Sequence, residues 1–542
     1  MAMYSTPAQV EADYTTLFKT FSTGKTKNIA WRKLQLKRLW YLINDNQDDI
    51  ISALRADLNR PVFETFASEI RSVKDHILEY LDRIDEWAAD EIPNAGFLFT
   101  RLAGARIRKE PLGVTLIIGP WNYPISLILQ PLIAAIAAGC CALIKPSEVA
   151  PASEQFLAAQ IPRYLDTDAV RVVTGGIEET TRLLEKRYDH IFFTGSTKVG
   201  KVVQAAAAKH LTPTVLELGG QGPSIVTDTA DVDMAAKRCA YAKFVNAGQI
   251  CLSVNHAFVD PKVYDEFLER TAYWFEAFLG KGKGSGEGDG NGEFCRIVNE
   301  RNWERLTELL GRTKGRIVYG GKNNRERKYI QPTIISELTS TDSLMSEELF
   351  GPYLPVIKAS YQEACRIIST GEHPLAIYLF TRSTSQISYV LNNTTSGGLT
   401  VNDVFLHASI RNTPFGGVGH SGTGYYHGKY GFLAFSQLRA VVHPPSWLER
   451  VVSFRYPPYT ANAIRKLELR KVPFSREERI EDQSVGKMSR GLQVLRWWLG
   501  RLGRIATIAL LLALIDKRMG GQPWILQVLV DFVAKSRQTL GQ

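Results

Sequence analysis

Apolar positions fall into three rhythms along the chain, and each predicts a different kind of element. From residue 8 to about residue 90 they recur every three or four residues among charges, as at Leu34, Leu36, Leu39, Leu42 and Ile43, the spacing of helices with one buried face. From residue 112 the rhythm shortens to compact apolar runs: Val114 to Ile118, Ala142 to Ile144, Val170 to Val173 and Ile191 to Phe193, separated by helical stretches. That alternation predicts a parallel sheet with crossover helices, doubly wound as nucleotide-binding sheets are. Another alternating set, from near Ser224 to about residue 400, predicts a second α/β domain. The third rhythm, from residue 486 onward, sets a basic helical stripe against an apolar run. Residues 280–293 alternate glycine with polar residues after the helix-like stretch 262–279 and read as a flexible surface loop. A boundary falls near Pro444 and Pro445.

Composition adds scale. A chain of 542 residues, 45% hydrophobic and 22% charged, is globular and too long for one simple core, so two or three joined domains are expected. The net charge of +10 would suit nucleic acid if it were spread over a folded face. Instead nine Lys and Arg lie between Lys487 and the C-terminus against Asp516 and Asp531, which puts seven of the ten net charges in the tail. There they interleave with Trp497, Trp498 and the run Ile505 to Ile515, the pattern of a membrane-surface segment. Leu492, Leu495, Leu499, Leu502, Ala506, Ala509 and Ala513 share one helical stripe, flanked by Arg490, Arg496, Arg501 and Arg504. The apolar run is shorter than the roughly 20 residues of a strict span. A single tail anchor, a hairpin or monotopic anchor using the patch Trp524 to Ala534, and a helix covering a dimer partner all remain open.

The six cysteines (140, 141, 239, 251, 295 and 365) lack zinc-ligand spacing, the start Met-Ala-Met-Tyr-Ser-Thr-Pro is no secretory signal, and the nine histidines form no ligand pattern. Free thiols in a reducing compartment, with no metal, are expected. Cys140 and Cys141 end an Ala/Ile/Leu-rich stretch and read as packing residues.

Cys251 differs, because it sits in Gly-Gln-Ile-Cys (248–251) and Glu217 stands upstream of it in Leu-Glu-Leu-Gly-Gly (216–220), a candidate nucleophile and a candidate base. The strand ending at Thr194 runs into Gly195-Ser-Thr-Lys-Val-Gly200 and a helix from about Lys201. That places backbone N–H groups and a positive dipole end where a pyrophosphate could sit, on Gly195, Ser196 and Gly200. The literal G-x-G-x-x-G at Gly417–Gly422 has no strand before it and reads as a loop without that role. Lys145-Pro-Ser-Glu148 follows the second strand, within reach of an adenosine ribose. Asn122, in the turn Pro120-Trp-Asn-Tyr-Pro124 after the first strand, carries an amide suited to donate to an oxyanion.

With these motifs in order, and with Phe-Thr-Gly-Ser-Thr (193–197), Glu-Glu-Leu-Phe-Gly-Pro (347–352) and Pro-Phe-Gly-Gly (414–417), the chain resembles the aldehyde dehydrogenase superfamily across roughly residues 10–445. Thr400-Val-Asn-Asp-Val404, Tyr426-His-Gly-Lys429 and Arg455-Tyr-Pro-Pro resemble its class-three branch, which holds membrane-associated fatty aldehyde dehydrogenases and fungal enzymes acting on apocarotenoid aldehydes. The resemblance implies an NAD-binding domain in 1–89 and 113–217, a catalytic domain in 218–401 and a bridging or oligomerisation segment in 90–112 and 402–445. A linker in 446–485 would follow, then a membrane-associating tail in 486–542. It further implies that Cys251 attacks an aldehyde, that Asn122 and the Cys251 N–H hold the oxyanion, and that Glu217 activates the water that hydrolyses the thioester. Relatives that pass the acyl group onward often lack that Glu, so a free carboxylic acid is the expected product. Lys145 and Glu148 would hold the adenosine ribose, Ser196 a phosphate and Glu348 the nicotinamide ribose, while Phe350 brackets the ring. A carboxylate near the ribose 2′-OH favours NAD without shutting out NADP. Gln221 departs from the Lys usual in the family after the Gly pair, away from the chemistry. The expected substrate is a long apolar aldehyde, fatty or apocarotenoid, met by a homodimer on a cytosol-facing membrane (endoplasmic reticulum, outer mitochondrial or lipid droplet). Against it stand a broad or aromatic aldehyde detoxifier whose tail is only an address, and a catalytically inactive structural relative.

Overall fold

The computed structural model describes residues 4–96, 100, 102–280, 294–467, 476, 479 and 480. The tail read at 486–542 and nearly all of the glycine-alternating loop lie outside the described residues. The chain divides into a unit ending at Ser446 and a second beginning at Trp447. Among the described residues no helix is long and apolar enough to cross a membrane.

The N-terminal third begins with helices Pro7–Ser22, Ile29–Asp45, Gln47–Leu58 and Ser72–Ala88. Thr6 and Asn28 cap the first two by accepting from backbone N–H groups of the first turn. Leu36, Leu39, Leu42 and Ile43 are fully buried, but Leu34 is 45% exposed. At 100° per residue Leu34 points away from the stripe the other four share, so it meets solvent although its residue type fits the pattern.

In chain order the strands are β1 (Arg106–Pro111), β2 (Val114–Ile118), β3 (Cys141–Lys145), β4 (Val170–Val172), β5 (His190–Thr194), β6 (Thr214–Glu217), β7 (Pro223–Val226) and β8 (His256–Val259). They continue as β9 (Arg316–Tyr319), β10 (Asn323–Asn324), β11 (Tyr329–Ile330), β12 (Thr333–Ser336), β13 (Tyr353–Lys358), β14 (Ala376–Phe380), β15 (Gly398–Val401), β16 (Gly422–Thr423) and β17 (Ser436–Val441). One sheet runs β4-β3-β2-β5-β6-β16, parallel except for β16. From β2 the chain moves outward to β4, then returns to β5 on the other side of β2, so the order reverses between β2 and β5. In open sheets of this kind ligands bind beyond the carboxyl ends at that reversal. The other large sheet runs β15-β14-β7-β8-β13-β12-β9, parallel except for β9. Its central strands are buried on both faces, which explains why they read as unbroken apolar runs.

Two pairings tie distant sequence together. Strands β1 and β17 form an antiparallel ribbon with Arg106 opposite Val441. The Gly417–Gly422 stretch forms a short 3₁₀ turn and β16, which pairs Gly422 with Glu217 at the edge of β6. The Leu218 N–H donates to Ser421 O at 3.1 Å, so this loop braces the segment that carries Glu217.

Candidate active site

The turn that presents Cys251 begins where helix Val232–Phe244 ends. Asn246, Ala247 and Gly248 follow in the left-handed region at φ 50°, 52° and 69°. At Gly248 any Cβ would lie 2.4 Å from the Gly351 carbonyl oxygen, so both conformation and space demand glycine there. The side chains around the turn replace the backbone pairing a helix would have provided. Gln249 donates to the Asn246 and Arg296 carbonyls at 3.0 Å each and accepts from the Val298 N–H. The Ser253 hydroxyl donates to Ala242 O, and Tyr378 OH to Leu252 O at 2.7 Å. Burial and the charges of Glu348 and Glu217 push the Cys251 thiol up to about 12, while the amide groups of Cys251 and Leu252 pull it back. The thiol therefore rests protonated and needs a base to become a nucleophile.

Asn122 follows β2 and is buried, its amide donating to Gln249 O at 3.0 Å. An amide nitrogen carries two hydrogens, which leaves one for an oxygen formed beside Cys251. Glu217 ends β6 with 4% exposure, and neither carboxylate oxygen has a hydrogen-bond partner among the described residues. Burial alone holds its carboxyl well above the usual carboxylate range. Glu348 is half-buried against Gly219, where a Cβ would sit 2.3 Å from its oxygen. Burial raises it to about 7, against the Gly220 N–H and the charges of Arg305 and Lys243. Phe350, at φ 48°, sets its ring edge-on to Trp121 at 5.4 Å.

The crevice at the sheet reversal carries the other residues singled out in the sequence. Lys145 closes β3, is buried, and pairs with Glu148 at 2.6 Å. Gly195 follows β5; a Cβ there would meet the Phe193 ring at 2.5 Å. Ser196 caps helix Thr197–Ala208, its hydroxyl accepting from the Val199 N–H. That helix starts at Thr197 rather than near Lys201, because the Ser196 cap fixes its first turn. Gly200 thus lies inside the helix, not in the turn, and the Leu218 side chain occupies the space of its missing Cβ. Its visible function is to let the helix approach the Glu217 segment. A dinucleotide fits these residues: a helix N-terminus for phosphate, the Lys145–Glu148 pair for one ribose, and the unpartnered Oε1 of Glu348 for the other.

Three buried residues near the site were not assigned a role from the sequence, although Tyr426 lies in the Tyr426-His-Gly-Lys429 motif. Arg60 is fully buried and binds Glu69, Asn246 and the Asn122 carbonyl. Lys243 is 1% exposed and donates to Gly351 O at 3.2 Å; burial lowers it to about 7, partly opposed by Glu348. Its signal was available, since it sits on the helix leading to Cys251. Tyr426 is buried between Phe192 and Phe415, ring centroids 5.0 and 5.7 Å away, and its hydroxyl feels the charges of Glu217 and Cys251. Gln221 instead donates to Met345 O at 2.8 Å.

The doubly wound sheet and this crevice define a dinucleotide-binding α/β enzyme. Comparison with known proteins fixes which kind. The chain belongs to the aldehyde dehydrogenase family, whose family model matches residues 2–441, and is an NAD(P)-dependent enzyme of that family. It is 41% identical over 452 residues to aldehyde dehydrogenase family 3 member B1 of Rattus norvegicus, covering 83% of this chain and 95% of the relative. With the dimeric NADP-preferring aldehyde dehydrogenase of Canis lupus familiaris the identity is 40% over 446 residues, 82% and 97% of the two chains. These relatives place it with the class-three branch. Among solved structures, the substrate-bound state of Staphylococcus aureus AldH superposes with a TM-score of 0.81 at 35% identity, over 85% of this chain and 98% of that one.

Proposed function

We propose that this enzyme oxidises long apolar aldehydes, fatty or apocarotenoid, to the carboxylic acid, through a covalent adduct on Cys251. The observation that carries the chemistry is Glu217, a buried carboxylate without partners whose charge acts on Cys251. Glu217 takes the thiol proton and passes it to solvent, and the Cys251 sulfur bonds to the aldehyde carbon. The oxyanion so formed accepts from the Asn122 amide and the Cys251 N–H. When bound, the oxidised nicotinamide cofactor supplies the acceptor for the hydride that leaves this carbon. The thioester left on Cys251 is cleaved by water, whose proton Glu217 receives, and the acid departs as the thiolate returns.

The basic, apolar sequence of 486–542 supports a membrane location facing the cytosol, since each buried CH₂ favours lipid by about 0.8 kcal/mol and such aldehydes already reside there. A homodimer accords with the relative named as dimeric and with Leu438 and Val442, exposed on and beside β17. The Glu148 carboxylate, held by Lys145, disfavours a 2′-phosphate and so favours NAD, although one relative is named as NADP-preferring.

The test is NADH formation by the full-length protein in detergent with propanal, benzaldehyde, hexadecanal and a long apocarotenal. A steep rise of kcat/KM with apolar length is expected. Equal use of short and aromatic aldehydes would overturn the substrate assignment in favour of broad detoxification.

A further inference from the structure

We infer that Arg60, nearly two hundred residues before the nucleophile, is a positioning residue that fixes the oxyanion donor against the nucleophile turn. The inference rests on the roles proposed for Cys251 and Asn122. Arg60 is completely buried just after helix Gln47–Leu58. Its guanidinium reaches four groups at once. One nitrogen pairs with Glu69 at 2.7 Å; two bind the Asn246 side-chain oxygen at 3.2 and 2.8 Å; and one of these also binds the Asn122 carbonyl. Its plane lies over the Tyr123 ring at 4.5 Å.

The groups it joins belong to the two pieces that must meet for chemistry. Asn246 opens the left-handed turn, held there by Glu64, which accepts its N–H at 2.9 Å. The Asn246 amide donates to the Asn122 carbonyl at 3.2 Å and to Gln249 O at 3.1 Å. Asn122 donates to that same Gln249 carbonyl, two residues before Cys251. The far oxygen of Glu69 accepts the Ser126 N–H at 2.6 Å and so anchors the helix following the Asn122 turn. Backbone carbonyl and side chain of Asn122 are thereby both tied to the nucleophile turn, with Arg60 at the centre of the ties. No atom of Arg60 contacts Cys251, so its effect passes through Asn122 and Asn246. A planar fork suits this task because it binds two acceptors in fixed directions, whereas a lysine ammonium acts as a point charge.

A buried ion pair could be there for the fold alone, and removing one partner strands the other charge, so single truncation would be a poor test. The useful variants are R60M/E69Q, which removes both charges together, and R60K, which keeps the charge but loses the fork. Each is compared with the wild type, alone and in an N122A background, by the stopped-flow burst of NADH, KM for NAD, and thermal midpoint. The expected result is a burst rate reduced 10- to 100-fold in R60M/E69Q, a smaller reduction in R60K, and an unchanged KM for NAD. In the N122A background neither change should slow the burst further, because the group being positioned is gone. An unchanged burst in R60K and in whatever R60M/E69Q folds, or a full additional loss in the N122A background, would overturn the assignment. N122A alone retaining the wild-type burst would instead remove the oxyanion role on which the inference depends.

Discussion

At the scale of single residues, the chemistry depends on groups whose surroundings deny them ordinary partners. Asn122 gives one of its two amide hydrogens to the Gln249 carbonyl, and the other is the one proposed for the oxyanion. Replacing it with alanine should lower kcat by about 10²–10³, the usual effect of losing one oxyanion donor, with KM for NAD unaltered in steady-state kinetics. Glu217 offers a double prediction. Without a carboxylate to accept the water proton, E217Q should accumulate the thioester on Cys251, visible as an acyl mass adduct in intact-protein mass spectrometry. Its folded-state pKa is raised, so the protonated form is the stabilised one. Wild-type stability contributed by this group is therefore full below the unfolded carboxyl value of about 4.3 and is lost as pH rises toward the folded value. E217Q loses nothing over that range. Denaturation curves should show it gaining on the wild type as pH rises above the unfolded carboxyl value.

At the scale of elements, turns and strand edges decide where those residues stand. The Asn246–Gly248 turn works because Gly248 slips past the Gly351 carbonyl. A methyl there meets backbone oxygen in a backbone region that alanine disfavours. Gly248→Ala should cost about 1–3 kcal/mol or more and displace Cys251, lowering both the thermal midpoint and the NADH burst amplitude. Helix Thr197–Ala208 gives the contrasting case: Gly200 reads as a turn residue, yet Ser196 starts the helix earlier and Leu218 fills the space beside Gly200. The β16 pairing shows a loop with a nucleotide-like pattern serving as a brace on the Glu217 strand. Pattern alone does not say against what a loop will lie.

At the scale of the whole molecule, the unit ending at Ser446 contains both sheets and every residue assigned to the chemistry, and the separate unit begins at Trp447. Removing residues 486–542 should leave kcat for a small soluble aldehyde within about twofold, since none of the site's groups is lost. The same truncation should abolish co-flotation with vesicles containing anionic lipid, where polybasic segments gain roughly 1 kcal/mol per Lys or Arg. Retained flotation would move the membrane contact to the folded unit; lost activity would show that the tail reaches the site.

The sequence by itself determined the α/β alternation and the set Cys251, Glu217 and Asn122. Unbroken apolar runs and period-3.6 patterns report what is buried, and local spacing keeps Lys145 with Glu148, three residues apart, and Asn122 in the turn after β2. The order of strands was decided by tertiary structure, because β2 has to lie between β3 and β5 before the crevice exists. So was the exposure of Leu34, a matter of direction around a helix rather than residue type. The Arg60 network belongs wholly to the fold: a buried arginine contacting an asparagine 186 residues away leaves no local trace, since its partners are chosen by packing and not by spacing. Even the raised proton affinity of Glu217 comes from walls supplied by distant strands, which withhold the water and hydrogen bonds an exposed glutamate would find.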